Sequence, residues 1–438
     1  MAAPRPDRVV VINDRSAPVG GASHLSQLSA RLIKERGVPV TFIAGDMPEP
    51  DQHRFEVLGA GGETLLQQSR ASAFSNGLYN RAALRLLADF IDSRDTDRTV
   101  YHLHGWSKIL SPSIFRALAG VRQRVVLHAH DYFLVCPNGG FAHYPDRHVC
   151  DLTPMSAKCL ATQCDKRGYS QKLWRSARHA LRQRLFGLRE QAANIVVVHE
   201  KMIRYFERAG AICDDIVAIR NPFEPPLAHQ ASPWLSRDFF FIGRLEPEKG
   251  FEDAAEAAER AGVGLQVIGD GAGRELLARK YPSVVIHGWK SKAELARIVT
   301  DARAVVISSR VPEPFSLAAV EAVGSGIPVI LPAEALIASD IVETRSGLTF
   351  RAGDIASLAS AMSQLVASDD LVREISMNGF RVAPQLGNSP KQWGDALMSL
   401  YCRILGDPKG AVSPARANEM ARVGPNPFGQ CVRSSGGL

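Results

Sequence analysis

Residues 308–330 read SSRVPEPFSLAAVEAVGSGIPVI, and the reading of this stretch decides the fold. The apolar run Ala304–Ile307 enters it as a buried strand would, and Pro312 and Pro314 then forbid continuation, because proline cannot donate to a sheet ladder. A turn must follow. From Phe315 the residues Leu317, Ala318, Ala319, Val320, Glu321 and Ala322 favour a short helix, which Gly324 and Gly326 stop before a second strand starts at Ile327. This is a strand–turn–helix–strand unit of a parallel sheet. Its helix N-terminus lies at the carboxyl end of the first strand, where free backbone N–H groups attract anions or hydroxyls.

Two glutamates flank that helix start. Glu313 lies in the turn and Glu321 eight positions on, a separation of roughly 12 Å at about 1.5 Å per helical residue. One reading is a capping charge at Glu313 and a solvated face at Glu321. The other sets the two carboxylates at opposite ends of a nucleotide-sugar, one holding sugar hydroxyls and one a ribose diol, since each carboxylate accepts two hydroxyl hydrogen bonds. Upstream, residues 239–250 read FFFIGRLEPEKG, an apolar strand ending in Gly243 with Arg244 and Lys249 just beyond. Two cations at such a strand end suit a diphosphate lying between the carboxylates.

FIGRLEPEKG followed by PEPFSLAAVEAVGSGIPVI resembles the C-terminal half of a retaining glycosyltransferase of family GT4, which has the α/β GT-B architecture of two Rossmann-like domains facing across a cleft. The resemblance implies that Arg244 and Lys249 grip the donor diphosphate, that Glu313 holds the transferred sugar and that Glu321 holds the ribose. It places Phe315, Ser316 and Leu317 against the donor, with Ser316 standing where glycine is usual in the family, so that sugar identity stays open. It also implies a glycine pair, Gly20 and Gly21, near donor phosphate and acceptor, and a turn at Gly288 and Trp289 against the base. A histidine followed by aspartate near the transferred sugar fits His130, with His128 as the alternative.

Composition sets outer limits. At 438 residues, 45% hydrophobic and 22% charged, the chain is ordinary globular material, long enough for two domains with separate cores. The formal charge of +7 suggests affinity for anions. No run approaches 18 apolar residues and MAAPRPDR leads at once into a strand, so the expectation is a cytoplasmic protein. Seven cysteines, an odd count, suit a reducing compartment.

In chain order, Arg8–Ile12 reads as a buried strand, 13–21 as a loop closing on Gly20 and Gly21, and 22–36 as a helix before a strand near 38–44. This opens a Rossmann-like domain, yet G-x-G-x-x-G is missing, which argues against a nicotinamide dehydrogenase. The glycine pair also reads as a plain turn. A helix is expected near 79–93, and strands near 100–104 and 125–131, ending in His-Gly and in His128-Ala129-His130-Asp131. A histidine at such a strand end is either structural or, neutral or charged, a donor to sugar or phosphate. Cys136, Cys150, Cys159 and Cys164 follow, without the C-x2-C knuckles of a zinc site; free buried thiols are the default, and a structural metal on these cysteines, with His143 and His148 as further ligands, is the alternative left open.

Residues 166–189 carry Lys166, Arg167, Lys172, Arg175, Arg178, Arg182, Arg184 and Arg189 and no acid. Leu173, Ala177, Leu181 and Leu185 fall at helical spacing, giving an amphipathic basic helix. It reads either as a contact for an anionic membrane surface, with the protein peripheral on the inner face, or as a helix packed on its own domain with a solvated basic face. No nucleic-acid motif accompanies the charge. The expected organisation is an acceptor domain over 1–220, a Pro-rich linker over 221–235, a donor domain over 236–392, a crossover helix over 393–405 and a disordered tail over 406–438. A tryptophan such as Trp289 at a strand end either stacks on a base or packs.

The activity the resemblance implies is transfer from a nucleotide-diphosphate sugar to a glycan or lipid-linked acceptor hydroxyl with retention, in polysaccharide or lipid-linked oligosaccharide assembly. Arg244 and Lys249 would stabilise the leaving diphosphate without a divalent metal or other cofactor. A nucleotide-sugar 2-epimerase of the same architecture and a non-catalytic nucleotide-sugar-binding scaffold are the alternatives.

Overall fold

The computed structural model describes residues 4–49, 54–189, 193–212 and 216–406. The expected tail therefore lies, beyond Gly406, outside the described residues.

The first domain alternates strand and helix: β1 (Arg8–Asn13), α1 (Gly21–Glu35), β2 (Val40–Ala44), β3 (Glu56–Gly59), α2 (Arg70–Leu78), α3 (Arg81–Arg94), β4 (Thr99–Leu103), α4 (Ile114–Leu118) and β5 (Val125–Ala129). A small antiparallel hairpin follows, β6 (Ala142–His143) and β7 (His148–Val149), then α5 (Ala157–Ala161), α6 (Tyr169–Leu185), β8 (Asn194–Val197), α7 (Ile203–Arg208) and β9 (Ile216–Ala218). Seven of these strands form one parallel sheet in the order β3-β2-β1-β4-β5-β8-β9. The runs VVVI, VTFIA and VVLHA are buried throughout because helices cover both faces of such a sheet. Strand β3 and helix α2 were not anticipated, and β3 is half-exposed with weak alternation.

The second domain repeats the plan with β10 (Asp238–Ile242), α8 (Phe251–Ala261), β11 (Leu265–Ile268), α9 (Arg274–Lys280), β12 (Val285–Gly288), α10 (Lys292–Val299), β13 (Ala302–Val306), α11 (Leu317–Gly324), β14 (Val329–Pro332), α12 (Ala338–Glu343), β15 (Gly347–Phe350), α13 (Ile355–Ala367) and α14 (Asp369–Leu386). Its parallel sheet runs β12-β11-β10-β13-β14-β15. The strand–turn–helix–strand unit of the deciding stretch is β13-α11-β14, with β13 and β14 paired at Val305–Val329 and Val306–Ile330.

The last helix, α15 (Pro390–Gly406), returns to the first domain, where Trp393, Leu397, Leu400, Tyr401 and Ile404 join Val9, Val11, Leu28 and Phe42 in one core. The two chain crossings lie side by side, since Phe223 N–H donates to the Asn388 carbonyl and Asn388 N–H to the Asn221 carbonyl. Much of the Pro-rich stretch is packed rather than free: Leu227 and Ala231 are buried in the second domain's core, and the Ala231 N–H donates to the Ser325 carbonyl. Arg220 locks the crossing, its guanidinium 2.6 Å from Asp340 in the second domain and 3.0 Å from Glu200 in the first.

Helix α6 overturns the expected face assignment. Lys172, Arg178, His179 and Arg182 point inward and are buried, whereas Leu173 is exposed. Arg178 donates to the Gly77 and Ser107 carbonyls, and Arg182 to those of Leu134 and Phe186. Guanidinium groups that end irregular backbone are worth more inside than a leucine, because an unpaired buried carbonyl is costly. The solvated basic face of the sequence reading is therefore largely an internal one.

Candidate active site in the cleft between the domains

One side of the cleft is built from the turns that follow β10 and β13. After β10, Pro247 opens a single 3₁₀ turn ending at Gly250, which has φ +68° and leaves no room for a side chain: a Cβ there would stand 2.0 Å from the Ser308 carbonyl oxygen. That contact brings Lys249 against the turn after β13. Lys249 forms an ion pair with Glu313, and the Ser309 hydroxyl donates to the same carboxylate. Burial alone would raise the Glu313 pKa, but the Lys249 ammonium with the Ser309 and Ser316 hydroxyls outweighs it and holds the carboxyl below its usual value. Lys249 and Glu313, read from sequence as separate grips on diphosphate and sugar, are direct partners here.

Glu321 behaves oppositely. It lies in α11 without an ion pair among the described residues, and burial pushes its pKa up to about 7, against a smaller pull from Lys292. Lys292 is itself engaged 2.9 Å from Glu224. Arg244 is exposed and lies close enough to Glu248 to lower that carboxyl's pKa, although burial and then Lys166 are the larger influences there. Ser316 caps α11 with its side chain buried, directed to Glu313 rather than to the helix N–H groups. Phe315 packs against the cores of both domains, and Leu317 begins the helix beside it. Gly288 takes φ +73°, and Trp289 after it is 74% exposed, so the packing reading of this tryptophan fails and its ring is free to meet a ligand.

On the other side, Gly20 precedes α1 with φ +87°, and neither Gly20 nor Gly21 has any atom within 4 Å of where a Cβ would stand. The pair borders open space at a helix N-terminus. His130 and Asp131 follow β5. Burial lowers the His130 pKa to about 3, so His130 is neutral near pH 7. The charged imidazole admitted by the sequence reading is thereby corrected. His128, the alternative, stacks against His130 at 4.2 Å between ring centroids but is nearly inaccessible.

Sequence reasoning missed several supports. Lys166, in the loop before α6, forms an interdomain ion pair with Glu248, next to Lys249. Arg310 forms a forked pair with Asp253, and its N–H donates to the Glu248 carbonyl over 3.0 Å. The partners in these contacts are 57 to 82 positions apart, beyond any local signal. In the cysteine-rich segment Cys136, Cys159 and Cys164 are buried thiols and Cys150 is half-buried, all unbridged; the Lys172 ammonium donates to Cys164 over 3.1 Å and to Cys159 over 3.4 Å. His143 and His148 face each other across the hairpin β6–β7, with Asp146 near them, at the surface. Among the described residues, no helix is long and apolar enough to cross a membrane.

Two facing Rossmann-like sheets with a cleft between them and a returning C-terminal helix define a GT-B fold. Residues 230–382 match the family described as Glycosyl transferases group 1. Solved structures share the architecture over nearly the whole chain: sucrose-phosphate synthase from Thermosynechococcus elongatus (TM-score 0.67, 17% identity, 91% of this chain and 98% of that one) and Alr3699/HepE of Anabaena in complex with UDP (TM-score 0.63, 16% identity, 90% and 99%). In sequence the chain is similar to the glycogen synthase of Mycobacterium tuberculosis, 27% identical over 256 residues, 55% of this chain. It is 33% identical over 127 residues, 29% of this chain, to the GDP-mannose-dependent alpha-mannosyltransferase of the same species. The chain spans 60% of the length of that glycogen synthase and 33% of that mannosyltransferase.

Proposed function

We propose that this protein is a retaining glycosyltransferase of the GT4 type, moving a sugar from a nucleotide-diphosphate sugar to an acceptor hydroxyl of a glycan or a lipid-linked glycan. The carrying observation is the convergence of Lys249, Glu313, Ser316 and Phe315 at the mouth of the cleft, with Arg244 exposed at the same strand end.

In this reading the diphosphate takes Lys249 and Arg244, and Glu313, released or shared by Lys249, accepts hydroxyls of the transferred sugar. As the bond from anomeric carbon to phosphate stretches, charge grows on the leaving oxygens, and the two cations stabilise it more than they stabilise the ground state. No divalent metal is then required. Glu321 accepts the ribose diol, and the exposed Trp289 ring stacks on the base, a role its exposure leaves open. Transfer on one face, with the leaving phosphate taking the acceptor proton, gives retention. Gly20 and Gly21 leave room for acceptor and phosphate. The exposed side of α6, with Leu173, Ala177 and Arg184, is the surface that would meet an anionic membrane on the cytoplasmic side.

The test is direct. The full chain is incubated with UDP-, GDP- and ADP-sugars, with glycan and lipid-linked acceptors, and the anomeric configuration of any product is read by NMR. An α-linked product from an α-configured donor supports the proposal. Inversion would overturn retention. Release of a C2-epimer without acceptor would establish the epimerase, and nucleotide binding without turnover the scaffold.

A further inference from the structure

Behind His130 the sheet carries an unusual arrangement. His102 and His104 on and just after β4, and His128 and His130 on and just after β5, alternate by two and so share one face of two paired strands. The rings of His102 and His104 lie 4.1 Å apart, tilted by 37°, and those of His128 and His130 stack at 4.2 Å. His102, His104 and His128 stand close enough to share a cation, but imidazole lone pairs lie in the ring planes, and planes tilted by only 9° between His102 and His128 and 28° between His104 and His128 do not converge on a tetrahedral centre.

Hydrogen bonds assign the protons instead. The Ser29 hydroxyl, fully buried in α1, gives its one hydrogen to the Ser26 carbonyl over 2.7 Å. Its oxygen, 3.2 Å from His104 Nε2, must therefore accept from that nitrogen. His104 Nδ1 is then bare and accepts from His130 Nε2–H over 2.8 Å, which leaves His130 Nδ1 as a bare lone pair, buried and without a protein partner. A second chain of contacts lies beside it: Tyr401 OH is 2.6 Å from His102 Nδ1, and His102 Nε2 is 3.1 Å from His128 Nδ1. A buried acceptor without a partner is costly, and such a group persists where a ligand completes it.

We infer that Ser29 and His104 are positioning residues that fix the tautomer of His130, so that its Nδ1 accepts a hydrogen bond from a substrate hydroxyl in the cleft; this rests on the transfer reading above. The relay sets polarity: the site favours a sugar with a hydroxyl at that position over its deoxy or O-methyl analogue.

The experiment uses the full chain labelled with 15N-histidine, and long-range proton–nitrogen correlations read each ring. The expected result is His130 protonated at Nε2 and bare at Nδ1 in the free protein. Ser29→Ala should give a mixed tautomer, and Ser29→Thr, which keeps the hydroxyl, should restore it. In turnover Ser29→Ala should lower kcat about tenfold, the worth of one well-placed hydrogen bond, with the Kd for a nucleoside diphosphate within about twofold of wild type. A proton on His130 Nδ1 in wild type overturns the inference, as does stoichiometric zinc capture by the four rings or a deoxy donor used as well as its parent. An inactive wild type would sink the transfer reading, while the tautomer measurement would still decide the relay.

Discussion

Lys249 and Glu313 are ion-paired across 64 positions of sequence, one from the turn after β10 and one from the turn after β13. In the free protein the residue expected to grip a diphosphate is thus held by the residue expected to grip a sugar. On the proposed reading a bound donor would redistribute this pair, which spares Glu313 the cost of an unpaired buried charge.

Loss of the pair should appear in both stability and rate. Because Glu313 is held below its usual pKa, its contribution to stability is fully present above the unfolded value near pH 4.5 and is lost as the pH falls through the lower folded one. In Lys249→Ala only the Ser309 and Ser316 hydroxyls still oppose the effect of burial, so the melting-temperature gap to wild type should be wide at pH 7 and narrow towards pH 4 in a thermal scan. The double variant Arg244→Ala, Lys249→Ala should lose about 10²–10³ in kcat or more. Transfer left intact in it would refute the role of both cations.

Glu321 gives a pH dependence of the opposite sign. Its folded pKa is about 7, so its contribution to the stability of the free protein is present below about pH 4.5 and is lost as the pH rises through 7. A ribose diol donating two hydrogen bonds selects the carboxylate, so donor affinity should rise about tenfold between pH 6 and pH 8, with proton release seen by calorimetry in two buffers. Glu321→Gln should flatten the profile. A nucleotide-sugar, whose diphosphate does not titrate in this range, is the proper ligand.

Gly20 and Gly21 separate strain from access. Gly21→Ala meets open space at the first turn of a helix, so its stability should lie within about 0.5 kcal/mol of wild type, while Gly20→Ala, at φ +87°, should cost about 1–2 kcal/mol. If ligand occupies that space, Gly21→Val should weaken donor or acceptor binding with little change in melting temperature. Unchanged steady-state kinetics in Gly21→Val would make the pair a turn and nothing more.

Arg220 should govern the relation between the domains. Its guanidinium joins Glu200 and Asp340, and His199 adds a nitrogen 3.4 Å from Asp340, whose carboxyl is held far below its usual value by these partners against the cost of burial. Arg220→Ala leaves two carboxylates facing across the crossing and should cost about 2 kcal/mol or more. Small-angle scattering should show a larger radius of gyration, and Asp340→Asn should widen the cleft less.

The parallel α/β plan was legible because each central strand is a short apolar run that only a covered sheet can bury, and because the prolines and glycines around Glu313 leave one local path. That Arg244, Lys249 and Glu313 stand in turns after strands was legible for the same reason, whereas the roles expected of them came from the family resemblance. Helix α6 was misread because periodicity scores leucine as inward, whereas Arg178 and Arg182 lie inside to satisfy carbonyls of Gly77, Ser107 and Leu134, groups whose need for partners no local sequence shows.

The sequence alone therefore determined most of the elements, β3 and α2 excepted, the doubled domain plan and the turns that carry the charged groups, since these follow from burial, backbone sterics and neighbours within a few residues. Only the tertiary structure decided which groups face one another: Lys249 with Glu313, Arg220 with Asp340, Ser29 with His104 and His130. Protonation states came with those encounters, because a carboxyl or imidazole takes its pKa from burial and from the charges around it, and chain distance says nothing of either.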